Sequence, residues 1–404
     1  RAKYMISVGE AKNKIKADMP LMPPEQVSLS EALGRVLAKD VAARRTQPPH
    51  AVSAMDGYAV QAEDVENLPA SLNVVGHVPA GQAYDGSVAK GQAVRIFTGA
   101  TVPAGADTIV IQENTERDGK LVKVIDGKAP PGRFIRPAGL DFCEGDTLLS
   151  AGHTITARDI GLTAGMNVPW LTVRRKPRIA LLATGDEIVM PGDPVGPNQI
   201  VSSNGPALAA FITARGAIPV DLGIAPDSAD TLRVMAAGAK GSDMLITCGG
   251  ASVGDHDLVQ KVLGEIGLKI DFWRIAMRPG KPLMFGHIKE TRMLGLPGNP
   301  VSSLVCATIF LGPAINAMLG STADDAIYEI AELTTALPEN DEREDYLRAS
   351  IERNSDGTVF ATPFGKQDSS VFSGLARADA LIIRAPFAGE TKSGQQVRIM
   401  RLGG

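Results

Sequence analysis

The chain has 404 residues, of which 44% are hydrophobic and 21% charged, and its formal net charge is −4. That length is enough for roughly two to four domains with a large buried core, and the composition excludes a disordered chain. The mild acidity argues against a general nucleic-acid binder, which carries a basic stripe; a local basic pocket stays compatible with it.

Aromatic residues make up only 4%, so Val, Ile, Leu, Ala and Met must build the core, and 43 Gly and 27 Pro imply many tight turns. The three cysteines, Cys143, Cys248 and Cys306, have neither CxxC nor His spacing. That excludes a disulfide framework and a zinc site, and a reducing compartment, the cytoplasm, is expected. No apolar stretch of about 18 residues lacks charges and breakers, so no membrane span is expected. No signal peptide is expected in these residues.

Ser7 and Glu10 have capping-box spacing and predict a helix over 8–18. Pro20, Pro23 and Pro24 make a stiff linker, and 27–41 reads as strand, one helical turn and strand. From Val52 to about Pro131 come short β-type runs (SAMDGYAV, LNVVGHV, QAVRIF, DTIVIQE, KLVKVI) separated by Pro/Gly/Asp turns. This predicts a small inserted β domain. Residues 134–173 return to mixed β and turn with one short helix, TARDIGLTAGM, and are expected to pair with 25–45 across the insertion.

From Arg178 to about Gly320 the pattern alternates in the α/β manner. RIALLAT, AIPVDLGI, MLIT, LMFG and MLGL read as strands, with helices over 204–215, 228–240 and 257–266 and another from Ser302. The apolar runs Met244–Thr247, Leu283–Phe285 and Met293–Leu296 read as buried parallel strands. Beyond Asp324 the chain is again β-rich. The expected fold class is therefore α/β plus β and multidomain: 1–20 with 177–323 as a parallel-sheet α/β domain, 21–45 with 132–176 as a mixed linking domain, 46–131 as the inserted β domain, and 324–404 as a C-terminal β domain.

Ligands of open α/β sheets bind beyond the carboxyl ends of the strands, and polar motifs gather there. CGGASVGDHD offers bare backbone amides and a helix start for a phosphate, although a glycine-rich bend alone would look the same. TGDEIV carries acids straight after the first strand, which suit Mg²⁺ or simply a solvated turn. Asp227, in PDS, is either a further ligand or an ordinary helix cap. MRPGKP sets Arg278 and Lys281 around a rigid turn, a pair suited to a tetrahedral dianion, against the plainer reading of two surface charges on a hairpin-like loop. In LPGNPVSS the hydroxyls cap a helix, bind an anion, or do both. SAMDGYAV reads as a hairpin with Asp56 in its turn, and Thr98 in RIFTGATVP is a possible ligand. The five histidines are dispersed, and Cys248 reads as a buried structural thiol.

Taken together and in this order, SAMDGYAV, RIFTGATVPAGADTIVIQE, LLATGDEIV, ITCGGASVGDHD, RPGKPLMFG and GLPGNPVSS closely resemble the molybdopterin molybdenumtransferase family, bacterial MoeA and the E domain of gephyrin. The resemblance covers essentially the whole chain. It implies an elongated four-domain homodimer whose α/β domain binds molybdopterin. It implies insertion of molybdate into adenylylated molybdopterin with Mg²⁺-dependent release of AMP. The cleft would lie between the α/β domain of one subunit and the inserted domain of the other.

By motif, the resemblance gives Asp56 and Thr98 to the inserted-domain side and Glu187, Asp227 and Asp257 to the Mg²⁺ and phosphates. It assigns Asp141 as a further acid; Gly249, Gly250, Ser252 and Gly254, with Pro297 and Pro300, to the loops around the phosphates; and Arg278, Lys281 and Ser302 to the molybdate. Arg274 and Arg278 stand where some members have Lys, which keeps charge and changes hydrogen-bond geometry. Ser370 or Ser373 is the C-terminal domain's candidate. Implied partners are a molybdopterin adenylyltransferase upstream and molybdoenzymes or their chaperones downstream, with no nucleic acid and no membrane. Two other readings are an adenylyltransferase, which SAMDGYA and the extra β domains disfavour, and a scaffold that binds receptor segments.

Overall fold

The computed structural model describes residues 5–249 and 258–403. The N-terminal helix spans Val8–Asp18, with Ser7 Oγ accepting the Glu10 amide at 3.1 Å as its cap. Its buried stripe, Val8, Ala11 and Ile15, packs into the core of the α/β domain.

That domain is built on a six-stranded sheet. Its order is Ile218–Ala225, Arg178–Thr184, Met244–Cys248, Thr291–Leu296, Met284–Ile288 and Leu268–Trp273. The first four strands are parallel. Met244–Cys248 is buried along its whole length, as a strand covered on both faces must be. The expectation of a third parallel run at Leu283–Phe285 is corrected: Met284–Ile288 runs antiparallel to both neighbours. The link Lys289–Glu290 is a tight turn, with Lys289 at φ 55°, and two residues cannot carry a parallel crossover. Leu268–Trp273 is an edge strand with only Phe272 buried; its sequence, LKIDFW, alternates apolar and polar residues, and the expected strands omitted it.

Helices Asn204–Ala214, Ala229–Ala237 and Leu258–Glu265 cross between strands. The helix after the sheet starts at Pro300 rather than Ser302 and runs to Leu319 through a π-helical turn at Ala307–Leu311, just before the Gly312–Pro313 pair. Proline lacks the N–H of a regular ladder, and the π turn absorbs that defect. By length and composition this 20-residue helix could span a membrane, but 78% of its apolar window is buried in the domain core.

The remaining domains are β-rich. In the linking region, Pro24–Ser28 pairs antiparallel with Trp170–Arg174, and Val41–Ala42 with Thr147–Leu149. Val27, Leu37, Phe142, Ile155 and Leu171 form its core. The insertion carries a six-stranded sheet ordered Thr108–Ile111, Gly57–Val60, Gln92–Ile96, Ala70–Val78, Leu121–Val124 and Thr115–Asp118. The polar last strand, TERD, gives no sequence signal.

In the C-terminal region Glu344–Arg353, Val359–Pro363, Tyr328–Leu333, Gln396–Arg401 and Ala380–Arg384 pair in a ring, and the first and last of them also pair with each other. This closed barrel leaves no free edge apart from a short guest strand, Met277–Arg278, donated by the α/β domain.

Candidate active site

The strand order of the α/β sheet reverses direction of growth at Arg178–Thr184 and Met244–Cys248. At such a switch point the two following loops splay apart and leave a crevice. TGDEI leaves the first strand there, and the glycine loop leaves the second. Gly249 has φ 92°, and a Cβ on it would lie 2.8 Å from the Thr184 carbonyl oxygen. Only glycine lets these two turns approach so closely. The PGNP turn closes the third side, since Gly249 N donates to Leu296 O at 3.3 Å and Asn204 Nδ2 donates to Gly298 O at 2.7 Å.

The acids cluster on one flank. Asp227 N donates to Asp186 Oδ1 at 2.9 Å, so the carboxylate-bearing turns after neighbouring strands touch. The helix that follows is capped by Ser228 Oγ, which accepts from Thr231 N. The Asp227 carboxylate is therefore not used as a cap and stands exposed. Glu187 is also exposed and folds back over Gly185. Asp186, carried by the same GDE triplet, is the acid tied to Asp227, and singling out Glu187 alone overlooked it.

The cationic flank differs from expectation. Lys281 is exposed, with its carbonyl accepting Ile275 N at 3.0 Å, and its ammonium has no ion-pair partner among the described residues. Arg278 is engaged elsewhere. Its guanidinium donates to Asp341 Oδ2 at 3.1 Å, to Asn340 Oδ1 at 3.0 Å and to Asp345 Oδ2 at 2.5 Å, all on the C-terminal barrel. The hairpin-like reading of MRPGKP is replaced by the guest strand, which pairs in parallel with Glu344–Asp345. An arginine fork matches this carboxylate–amide group better than lysine would.

Ser302 is buried in the first turn of its helix, and Asn299 rather than a serine occupies the cap. Pro297 is buried and Pro300 takes the first helical position, where a missing N–H costs nothing. From the barrel, Ser369 reaches this turn: its carbonyl accepts Val301 N at 3.1 Å and its hydroxyl accepts Asn299 Nδ2 at 2.9 Å. Ser369 adjoins the candidate Ser370, whose own hydroxyl donates to Asp368 Oδ1 at 2.5 Å. The QDSS run held the signal, without saying which serine turns inward. Gly250, Ser252, Gly254 and Asp257 lie outside the described residues.

On the inserted domain Asp56 Oδ1 accepts both the Thr98 amide and the Thr98 hydroxyl, each at 2.8 Å. These two bonds, helped by the field of Arg95, hold the Asp56 carboxyl below its ordinary range. The hairpin expected for SAMDGYAV does not form. Val52–Ser53 pairs with Ile135–Arg136, while Gly57–Val60 enters the main sheet between Gln92–Ile96 and Thr108–Ile111. Asp56 therefore sits at a corner where the chain passes from one sheet to another. Asp141 is exposed beside the linking domain, with its amide donating to Gln47 O at 3.0 Å. No hydrogen bond joins Asp56, Thr98 or Asp141 to Gly249, Glu187, Asp227, Lys281 or Ser302.

No group of three or more metal-ligating His, Cys, Asp or Glu side chains occurs among the described residues. The donor set is instead two or three exposed carboxylates on abutting turns. That fits Mg²⁺, which keeps waters and takes one or two carboxylates together with substrate phosphate oxygens. Cys248, buried, has its thiol pushed up to about 12 by desolvation, with Ser303 Oγ at 3.7 Å opposing, so it is no nucleophile.

A switch-point crevice with acids on one flank and, on the other, a lysine without an ion-pair partner among the described residues is a site in an α/β fold suited to anionic ligands. Comparison with known proteins makes the assignment particular. The chain matches the model of the MoeA N-terminal region (domains I and II) over residues 6–166, of the probable molybdopterin binding domain over 180–317, and of the MoeA C-terminal region (domain IV) over 331–402. It is 36% identical to a molybdopterin molybdenumtransferase of Nostoc sp., covering 98% of this chain and 94% of that protein. It is 30% identical to gephyrin of Dictyostelium discoideum, covering 94% of this chain and 59% of gephyrin. The molybdopterin biosynthesis MoeA protein of Pyrococcus horikosii superposes with a TM-score of 0.86 at 29% identity, covering 99% of this chain and 100% of that one. The chain belongs to the molybdopterin molybdenumtransferase, or MoeA, family.

Proposed function

We propose that this enzyme inserts molybdate into adenylylated molybdopterin and releases AMP, with Mg²⁺ bound between the acid turns and the substrate's diphosphate. The observation that carries the reading is the crevice itself, where the Thr184–Glu187 turn, Gly249 and the PGNP turn meet beside the exposed Asp186–Asp227 pair. Gly249 N and Val301 N are bonded to Leu296 O and Ser369 O, so the amides of Gly298 and Asn299 are those the PGNP turn offers to phosphate oxygens, and Gly250, Ser252 and Gly254 are assigned with them. Lys281 holds the molybdate dianion as a point charge, and Ser302 completes the floor. Mg²⁺ held there would supply charge neutralisation at the phosphoanhydride: an attacking oxygen forms a bond to one phosphorus as the bridging P–O bond breaks, the bridging oxygen leaves on the other phosphate, AMP separates from the molybdopterin phosphate, and any proton of the attacking oxygen passes to solvent. Asp186, Glu187 and Asp227 orient that ion, and Asp257 is assigned with them. Arg278 acts at one remove, by fixing the barrel against the RPGKP turn.

Asp56 and Thr98 face the crevice of a second copy in this reading, with Asp141 beside them. Their separation from the α/β group within one chain favours a homodimer with shared sites. Substrate would come from a molybdopterin adenylyltransferase, and product would go to molybdoenzymes or their chaperones. The free cysteines suit the reducing cytoplasm.

The test is AMP release from adenylylated molybdopterin with Mg²⁺, with and without molybdate. Release that requires molybdate and yields active cofactor supports the reading. ATP consumption without molybdate, or receptor-peptide binding with no AMP, points to the adenylyltransferase or scaffold alternatives. In confirmed heterodimers, mixing Asp56→Asn with Asp227→Asn should partly restore turnover; no restoration argues against shared sites.

A further inference from the structure

The seam between the α/β domain and the C-terminal barrel opens into a cleft of about 800 Å³ that shares no lining residue with the crevice described above. Clefts of several hundred cubic ångströms at domain junctions are the usual setting of small-molecule sites. Leu304, Val305, Leu375 and Leu402 give this one an apolar floor.

Two guanidinium groups line it without adequate partners. Arg215 is half-buried at the end of the helix Asn204–Ala214; its guanidinium lies over the Phe211 ring at 5.2 Å and makes no hydrogen bond or ion pair among the described residues. Its burial disfavours the charge, and the field of Asp325 only partly offsets this. Arg401, on the last barrel strand, has a buried Nη1 with no hydrogen-bond partner. Unpaired buried donors are rare and call for an explanation.

The cleft's acids do not supply one. Asp325 is taken by Lys12, Lys16 and Asn316. Asp379 accepts the Ile351 amide, and Asp324 stands exposed at the rim. The rim carboxylate disfavours a dianion, whereas a planar monoanion matches the guanidinium fork.

We propose that this cleft is a binding site for an organic monocarboxylate with an apolar body, its carboxylate paired with Arg215 and Arg401 and its body on the leucine floor. The assignment does not depend on the activity proposed above.

The experiment is a calorimetric titration of the full chain with 3-phenylpropionate, with 3-phenylpropionamide as the uncharged match. The acid should bind at least about tenfold more tightly than the amide, and Arg215→Met and Arg401→Met should each weaken the acid at least about tenfold. Arg401→Met risks the barrel fold, so Arg215→Met at a helix end carries the test. Its melting temperature should not fall, because removing a half-buried and only partly compensated charge removes a cost, whereas a structural arginine would lower it on replacement. Equal binding of acid and amide, an unchanged affinity in Arg215→Met, or no binding to the wild type at about 10 mM acid overturns the proposal.

Discussion

Arg348 links the barrel's interior to the crevice, and its replacement by Met makes the sharpest test of how the site is held. The side chain is 1% exposed. Nη1 donates to the carbonyls of Asp368 and Val371 at 3.0 Å each, Nη2 to Lys366 O at 3.1 Å, and Nε to Gln367 Oε1 at 3.2 Å. The loop 366–371 is thus wrapped around one guanidinium, and Ser369 in that loop bonds Asn299 and Val301 of the PGNP turn. Methionine fills similar volume but donates nothing. Three carbonyls then lose partners at about 1–2 kcal/mol each; some turn to water and the new apolar contacts return part, leaving a net loss of about 3 kcal/mol. Arg348→Lys keeps the charge without the fork and should lose about half as much. Urea unfolding gives the loss, and hydrogen exchange should show faster exchange at Val301 N as well as in the loop. A loss under about 0.5 kcal/mol with unchanged Val301 exchange would refute the clamp, because it would mean that the loop holds itself.

Three further outcomes follow from the geometry. In Gly57→Ala the new Cβ would sit 2.0 Å from Val110 O across the paired strands, so the sheet must part and about 2–3 kcal/mol should be lost, measured by denaturant unfolding. Thr98→Val keeps the amide bond to Asp56 and deletes the hydroxyl one, so the Asp56 carboxyl rises and the acid limb of the AMP-release profile moves to higher pH; an unmoved limb would show that Asp56 does not act as the carboxylate. For Asp159, burial alone would raise the carboxyl, but bonds from His153 and Thr156 outweigh it and hold it at about 2 against an ordinary 3.8. Its stabilisation is full above the ordinary value and disappears as pH falls toward 2, so Asp159→Asn should flatten the acid limb of stability across that window, as acid titration by circular dichroism would show.

Much of the architecture could be read directly because it is written locally. The Ser7 cap, the buried run Met244–Cys248 and the Ser228 helix start are properties of adjacent residues, and each appears where composition and periodicity place it. A strand whose side chains are all polar, TERD, carries no such signal. Pairing is harder still, because it depends on what the rest of the chain offers. SAMDGYAV has the local grammar of a hairpin, yet the Gly57–Val60 segment finds two better partners in Gln92–Ile96 and Thr108–Ile111, and the turn becomes a corner.

The same distinction explains which site residues were legible. Gly249, Asp227 and Lys281 stand at the ends of local strands and turns, so their places beside the sheet could be read from the sequence. Arg278 depends on a domain more than 60 residues away, since Asn340, Asp341 and Asp345 become its partners only when the barrel accepts Met277–Arg278 as a guest strand. Its positive charge suggested an anion, and the nearest anions proved to be the protein's own. Held this way, Arg278 leaves Lys281 as the turn's cation without an ion-pair partner among the described residues and ties the barrel to the turn that carries it. Ser369 makes the matching tie on the PGNP side. The C-terminal barrel is therefore fastened to both loops flanking the crevice, through one arginine fork and one serine. Any shift of the barrel must strain the Lys281 turn and the helix start at Val301 together, which gives a domain remote from the acid pair a direct mechanical hold on the site.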